Sequence, residues 1–436
     1  MKGDRPVTEI VPLRRNARFQ WLWLGSAVSR LGSEFTRLAM PLLVLALTGS
    51  PGLAGIVAGA RTVAFLLIQI PAGVWVDRWD RRRTLVTAQS LQAVVSALLA
   101  ALILTDQVQI WHFVALAVLD ALCAAFIEPV RDTAIRGIVP TSQLHGAYAQ
   151  EESRTHAAGL IGPPLGGLLY GLGRAVPFLV ETLTFLAATL FYTLAKVPRR
   201  PSDPSPTATR EDSEGRGMRR EAAEALTWLW HRRGLREVTA AVMVLNLLGG
   251  AFLIPLIVLV GERGGSALTT GTVLAGLGIG GLAGALLSGR ISKLLPPGRL
   301  VPAVLTIFGA ALAATALPWG AWWPMVPLIF ITLSTPSLNV VMNVVIARMV
   351  PEAMLGRMGA VLSMGGMALK PFGPVLGGTL AAALGGAATL VILGGLLGLT
   401  AAAATLSREL RHFTGHVSPA TDDALQPEAR PGHAPE

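Results

Sequence analysis

The feature that most restricts the fold of this sequence is a series of twelve long apolar segments, each bounded by charge, Pro or Gly clusters. A hydrocarbon core about 30 Å thick needs roughly 20 apolar residues per spanning helix, and each segment reaches that length. Only 14% of the 436 residues are charged, against roughly 25% in soluble proteins. The sequence therefore predicts an all-α membrane protein with twelve transmembrane helices, at residues 17–47, 53–76, 84–105, 109–130, 143–173, 175–196, 236–261, 267–294, 299–318, 321–346, 354–385 and 386–407.

The basic residues fall almost entirely in alternate loops. With both termini inside, 29 of the 36 Lys and Arg residues lie on the inner side, and two, Arg174 and Arg263, lie outside. Short inner loops are enriched in Lys and Arg, so we predict a multi-pass protein of the cell (inner) membrane with both termini cytoplasmic. The net charge of +10 then marks the inner face, and we expect no nucleic-acid partner. The first segment has no small-residue cleavage site, so no cleavable signal is expected.

One long inner loop separates the sixth and seventh segments. Residues 197–217 are rich in Pro, Ser and charge, a composition typical of disorder. Residues 219–233 place Ala222, Leu226, Leu229 and Trp230 on one helical face, which predicts a helix lying on the inner membrane surface. A solvated linker helix is the open alternative. The polar, Pro-rich tail 408–436 is predicted to be disordered.

An internal repeat divides the chain. Repeats are common in transporters, and several matches here keep the same order at nearly the same offset. The chain is predicted to contain an N-terminal six-helix half (1–196), a cytoplasmic linker with an amphipathic helix (197–235), a C-terminal six-helix half (236–407) and the tail. The matching pairs are 135–140 with 346–351, 162–167 with 373–378, and 41–44 with 255–258.

The loop after the second segment carries a charged motif, Gly73-Val-Trp-Val-Asp77-Arg78-Trp79-Asp80-Arg81-Arg82-Arg83. This motif resembles the loop signature G-x-x-x-D-R-x-G-R-R of the major facilitator superfamily of secondary transporters, with Asp80 in place of Gly. The Asp-Arg-x-Asp-Arg-Arg form is similar to the branch that contains macrolide-efflux and enterobactin-exporter proteins. The resemblance implies the major facilitator fold and a proton-coupled exporter of a small amphipathic compound (drug, antibiotic or siderophore-like) that works by alternating access.

The resemblance also implies a cytoplasmic gate at this loop. Asp77 lies between two helices, where a carboxylate can bind free backbone N–H groups. The arginines that follow it could reach acids at the inner end of the fourth segment. A purely topological role for the arginines is the alternative. The gate residues implied are Gly73, Asp77, Arg78, Arg81, Arg82, Glu128, Arg131 and Asp132.

A second motif, Gly-Pro-x-x-Gly-Gly in the fifth segment, is similar to that of drug:proton antiporters. Small residues three or four positions apart let a neighbouring helix approach closely. Close packing alone would explain the glycines, and the resemblance adds a role in preventing leak. The predicted packing residues are Gly159, Gly162, Pro163, Gly166, Gly167 and, in the repeat, Gly373, Pro374, Gly377 and Gly378.

Ionisable residues within membrane segments are costly and are functional candidates. Arg30, Glu34 and Arg37 share one helical face, where Glu34 is either a permanently charged structural group or a proton carrier released by a conformational change. Asp120 and Glu181 have no cation within helical reach on their own helices, so each is neutral, paired across helices or water-exposed. The resemblance places the first and fourth segments at a central cavity, which favours Glu34 and Asp120 over Glu181. Arg61 and Lys370 could be the partners of Glu34 and Asp120. The remaining substrate or proton candidates, which could supply neutral hydrogen bonds from the second half, are Asn246, Asn339 and Asn343.

Other classes of function are disfavoured by the sequence. The chain has no G-x-x-x-x-G-K-[ST] phosphate loop, no H-E-x-x-H and no G-x-S-x-G, so neither a primary pump nor an enzyme is expected. We expect no cofactor and no metal. The predicted partners are a small-molecule substrate, protons as the coupling ion and the lipid bilayer, with the protein a monomer. An importer or symporter of the same fold is the main alternative, and a membrane sensor or scaffold is a third.

Overall fold

The computed structural model describes residues 12–76, 79–197, 227, 233–294, 296–339 and 365–407. The predicted linker helix, the tail, Asp77, Arg78 and Asn343 lie outside these residues. In the described part the chain is helical, with two short 3-10 helices at Leu13–Arg15 and Thr141–Gln143. The α-helices are α1 (Ala17–Thr48), α2 (Pro51–Val76), α3 (Arg81–Leu104), α4 (Ile110–Ile138), α5 (Leu144–Leu172), α6 (Val176–Leu194), α7 (Arg233–Ala251), α8 (Leu253–Glu262), α9 (Ala267–Leu294), α10 (Pro297–Thr315), α11 (Met325–Leu333) and α12 (Phe372–Leu406).

The predicted fold class is confirmed, and one apolar segment is divided differently from the prediction. Nine stretches of the described chain are long and apolar enough to cross a membrane. The predicted helix 236–261 is broken at Phe252 into α7 and α8. Helix α12 contains Gly385 with φ of 79°, a left-handed conformation that favours glycine. This residue separates two helical arms at the predicted boundary between the last two segments.

The ends of several helices are fixed by side chains. The Asn16 side chain accepts a hydrogen bond from the Phe19 N–H at the start of α1. Asp80 caps α3 in the same way, accepting from the Arg83 N–H at 2.9 Å. Such caps satisfy N–H groups that have no partner within the helix. Asp80, the position where this chain departs from the general signature, therefore defines where α3 begins.

Two helix pairs, α5 with α9 and α2 with α12, form the main contact between the helices that precede residue 197 and those that follow residue 232. Glycines bring the backbones together in both pairs. A Cβ on Gly271 of α9 would collide with the Pro163 carbonyl, and one on Gly55 of α2 would collide with the Pro374 carbonyl. Each proline belongs to one copy of the repeated motif, so the two contacts are equivalent.

The second and third glycines of each motif copy have separate roles. Gly166 lies against Phe35 of α1, and Gly377 lies against Ala251 of α7, so both pack within their own half. Gly167 lies against Ala267 of α9, while Gly378 lies against α2 at Pro51 and Gly55. The last glycine of each copy therefore faces the opposite half. Gly159 does not belong to this packing, contrary to prediction, because a Cβ there would meet no atom within 4 Å.

Candidate substrate and proton site

The charged triad predicted on α1 is formed. Arg30 Nε lies 3.2 Å from Glu34 Oε1, and Arg37 Nη2 lies 2.6 Å from Glu34 Oε2. Glu34 is buried, whereas the Arg30 and Arg37 side chains are 39% and 55% exposed. One carboxylate shared by two guanidinium groups leaves a net positive charge on this face of the helix.

The position of Glu34 is set by the glycine motif of α5. A Cβ on Gly162 would collide with Cβ of Glu34, so only a glycine permits this approach. On the same helix, Gly166 packs against Phe35. The predicted packing motif and the predicted charged triad thus form one contact between α1 and α5, because the motif brings the two backbones together where the carboxylate is buried.

Asp120 of α4 is paired across helices, which settles the alternatives that its sequence context left open. Arg61 of α2 donates to Asp120 Oδ2 from Nε at 3.1 Å and from Nη2 at 2.8 Å. Gln92 of α3 donates to the other carboxylate oxygen at 2.7 Å. Three helices therefore meet at this carboxylate. The predicted partnership of Arg61 with an acid is confirmed, with Asp120 as that acid.

Glu181 of α6 has a different environment. The Thr36 hydroxyl of α1 donates to Oε1 at 2.5 Å, and the Ser96 hydroxyl of α3 donates to Oε2 at 2.7 Å. The residue is 7% exposed. No described Lys, Arg or His lies within ion-pair distance of its carboxylate. Glu181 is thus held by neutral donors alone.

Helix α3 supplies polar contacts that the sequence analysis missed. Gln89, Gln92 and Ser96 are all buried. Gln89 accepts from Ser29 of α1, while Gln92 and Ser96 bind Asp120 and Glu181. Their spacing of three and four residues places them on one helical face. A polar stripe of this kind in an apolar segment is the sequence signal that could have revealed them.

The predicted ion pairs of the gate differ from those observed in the described residues. Arg82 donates to the Thr193 carbonyl at 3.0 Å rather than to an acid, and the Arg81 guanidinium lies beside Gly137. Glu128 forms no ion pair with a described residue, and Asp132 pairs only with its neighbour Arg131, at 4.0 Å. The expectation that these arginines reach Glu128 and Asp132 is therefore wrong. For Arg82, the Thr193 carbonyl near the end of α6 takes the place of an acid.

Gly73 has open space where its side chain would be, and Asp77 and Arg78 lie outside the described residues. Arg131 instead joins a cluster with α5 that the sequence analysis did not identify. Its Nε lies 3.6 Å from Glu151 Oε2, and Arg154 Nη2 lies 2.5 Å from the same oxygen. This cluster ties α4 to α5, so Arg131 has an observed structural role within one half.

The site residues predicted in the second half that the structure describes make few contacts with the charged groups of the site. The Asn246 side chain of α7 donates to the Gly366 carbonyl at 2.9 Å, which makes it an interhelical contact. Lys370 is exposed and forms no ion pair with a described residue, so its predicted pairing with Glu34 or Asp120 is wrong. Asn339 is exposed as well. Among the described residues, the buried carboxylates of the site belong to α1 and α6, and the half-buried carboxylates of Asp120 and Glu151 belong to α4 and α5.

A bundle of membrane helices with a duplicated packing motif and charged groups inside the helices defines a multi-pass membrane transporter rather than an enzyme. A match to a known protein family identifies the class of transporter. Residues 22–335 and 239–431 match the family model of the Major Facilitator Superfamily, and the chain belongs to this superfamily.

Similar proteins include two efflux proteins. The chain is 28% identical to the multidrug efflux pump Tap of Mycobacterium tuberculosis (strain ATCC 25618 / H37Rv) over 386 residues, covering 85% of this chain and 88% of that protein. It is 24% identical to macrolide efflux protein A of Streptococcus pyogenes over 211 residues, covering 47% of this chain and 51% of that protein. The resemblance to efflux proteins that the sequence motifs indicated is confirmed.

Solved structures show the same fold. An inward-facing, occupied bacterial homolog of the human lysosomal transporter Spinster superposes with a TM-score of 0.73 at 15% identity, covering 94% of this chain and 100% of that chain. A bacterial homologue of the iron transporter ferroportin, in an inward-facing state, superposes with a TM-score of 0.65 at 14% identity, covering 91% and 100%. At these identities the likeness concerns the fold alone.

Proposed function

We propose that this protein is a proton-coupled exporter of a small amphipathic compound that works by alternating access. The observation that carries the proposal is the triad on α1. Its two arginine side chains are 39% and 55% exposed within a helix long enough to cross a membrane. Because charged groups avoid lipid and face water-filled cavities, this face of α1 lines an aqueous path for a polar or charged substrate group.

The contact between the halves supports the alternating-access part of the proposal. Gly167 and Gly378 let the halves meet through backbone atoms at α9 and α2. Two rigid halves that touch along narrow glycine surfaces can rock about the site. In the proposal, rocking about this interface closes one end of the bundle while the other end opens.

Export is supported by the relatives. Both similar proteins are named efflux proteins, one for multiple drugs and one for macrolides. We infer that this chain exports a compound of the same general kind, drug-like or siderophore-like. In the proposal the protein is a monomer in the inner membrane with both termini cytoplasmic, since 29 basic residues lie on the predicted inner side. Arg81, Arg82 and their neighbours then lie at the inner end, where Asp77 and Arg78 would fasten the gate.

The test uses purified full-length protein in proteoliposomes with a macrolide as the probe and sodium-free buffers. Proton antiport predicts that the macrolide accumulates when the lumen is acidic, because protons leaving the lumen drive the macrolide inward. The accumulation should disappear when a protonophore collapses the gradient. Protein-free liposomes with the same gradient correct for passive trapping of a weak base.

The same experiment separates export by antiport from the alternative functions. Accumulation driven by an acidic exterior would show symport and hence an importer. Transport that is independent of the pH gradient but increases with added sodium would overturn proton coupling. If the macrolide is not transported under any gradient, a wider compound screen in cells with and without the protein follows, and equal accumulation of every compound would contradict the exporter proposal.

A further inference from the structure

We propose that Glu181, rather than Glu34 or Asp120, is the proton-binding carboxyl group of this transporter, with Thr36 and Ser96 as its positioning residues. The inference rests on the proposed function, since it assigns the proton step to one residue. It reverses the preference of the sequence analysis, which favoured the acids on α1 and α4. The geometry that supports it is the hydroxyl network joining α1, α3 and α6.

The first argument is the contrast among the three acids. Glu34 lies between two arginines, at 2.6 and 3.2 Å. Asp120 has two bonds from Arg61 and one from Gln92. Protonating either acid would leave a guanidinium group without its counter-ion and would remove an attraction that solvent screens only in part. Glu181 has no such partner among the described residues. Protonation of Glu181 therefore leaves no cation without a counter-ion.

The second argument is that the Glu181 network can be satisfied with or without the proton. A hydroxyl has one donor and two acceptor sites. When Glu181 is ionised, Thr36 and Ser96 both donate to it, at 2.5 and 2.7 Å. When it is protonated, its O–H can donate to Thr36 Oγ1, and the Thr36 hydroxyl turns to the Ser33 carbonyl, 3.3 Å away. Ser96 has a second acceptor as well, the Phe178 carbonyl at 2.9 Å.

The third argument concerns the charges around Glu181. The charged groups that act on it most are Asp120 and Arg61, which are paired with each other. Helix α1 carries Glu34 and Arg37 on either side of Thr36, and these are also paired. Helix α3 faces Glu181 with the neutral Ser96, and the charges of α5, Glu151 and Arg154, bind each other. Each neighbouring acid is therefore already paired with a cation, and among the described residues no cation lies within ion-pair distance of Glu181 itself.

The hydroxyl network also links proton binding at Glu181 to the proposed substrate path along α1. Thr36 precedes Arg37, the half-exposed cation of the triad, on the same helix. Ser96 lies one turn from Gln92, which binds Asp120. A proton on Glu181 turns the Thr36 hydroxyl toward its own helix and replaces the charge-assisted hydrogen bond between α1 and α6 with a neutral, weaker one. This change loosens α1 from α6 beside the proposed substrate path. Proton binding can thus change α1 without moving the paired acids.

The test is infrared difference spectroscopy of the reconstituted full-length protein between acidic and alkaline pH, without substrate. A buried carboxyl group that takes up a proton gains a carbonyl stretch that the ionised form lacks. We expect this band in the wild type, its loss in Glu181→Gln, and its retention in the matched controls Glu34→Gln and Asp120→Asn. In Thr36→Val the band should persist at a changed frequency, because the acid loses one hydrogen-bond partner.

A band that survives in Glu181→Gln, or that disappears in Glu34→Gln or Asp120→Asn instead, would overturn the assignment. In proteoliposomes, Glu181→Gln should lower macrolide accumulation driven by an acidic lumen to the level of protein-free liposomes. Thr182→Val, which removes a hydroxyl bound only to the backbone of its own helix, should transport normally. The infrared result needs no transport, so a failure of the exporter proposal can be told apart from a failure of the Glu181 assignment.

Discussion

At the scale of single residues, Asp120 and Arg61 form the best-defined ion pair between different helices of the site. Both nitrogen contacts reach the same oxygen of Asp120, while Gln92 occupies the other oxygen. The Arg61 side chain is 47% exposed and that of Asp120 is 21% exposed. Solvent therefore screens the pair in part, and its main effect is to hold α2, α3 and α4 at fixed positions around the site.

A double-mutant cycle tests this pair. Arg61→Gln and Asp120→Asn should each lower the free energy of unfolding in mixed micelles, because each leaves an unpaired charge inside the bundle. Hydrogen bonds to charged groups are worth about 1.5–3 kcal/mol, and the partial exposure favours the lower end. The double variant should recover part of the loss, since two neutral amides can bind each other. Strictly additive effects of the two single changes would show that the pair contributes nothing.

At the scale of elements, α3 connects the acids of its half. It begins at the Asp80 cap and presents Gln89, Gln92 and Ser96 to α1, α4 and α6. A helix that must place three polar side chains within hydrogen-bond distance of three neighbours needs a defined starting point. The cap supplies it, since the Asp80 carboxylate fixes the first turn directly after the preceding loop.

Two substitutions of Asp80 test whether its side chain acts as the cap of α3. Asp80→Ala should destabilise the protein by about 1 kcal/mol, the usual cost of losing a side-chain cap, whereas Asp80→Gly, the residue of the general signature, should cost only about a few tenths of a kcal/mol. Thermal unfolding in detergent measures the difference. Equal losses in the two variants would show that the Asp80 side chain acts through contacts other than the cap.

The elements also show how far a sequence can predict such a site. The starts and ends of α1, α6 and α9 follow from hydrophobic length and differ from the predicted bounds by at most two residues. The triad was predictable because its members lie on one helix at fixed spacing. The pairing of Asp120 with Arg61, 59 positions away, and the neutral surroundings of Glu181 depend on how helices pack. Periodicity within one segment holds no information on that packing.

At the scale of the whole molecule, the duplication produces two equivalent contacts between the halves. Gly55 meets the Pro374 carbonyl, and Gly271 meets the Pro163 carbonyl. The charged groups are not duplicated in the same way: among the described residues the buried acids lie in the first half. In the proposed mechanism, the symmetric contacts would serve the motion of the halves and the asymmetric charges would serve the proton step.

The equilibrium between the closed and open states of the interface between the halves should depend on the last glycine of each motif copy. Gly167→Ala and Gly378→Ala each place a methyl group against backbone of the opposite half, and overpacking of this kind costs about 1–3 kcal/mol. Because about 1.4 kcal/mol changes an equilibrium tenfold, each variant should open this interface in a large fraction of molecules. Spin labels at Asp106 and Trp319, one in each half, should report longer distances.

Gly171→Ala is the matched control. A Cβ at Gly171 meets nothing within 4 Å, so this variant should leave the distances unchanged. Unchanged distances in both interface variants would mean that the glycine contacts do not control how the halves move.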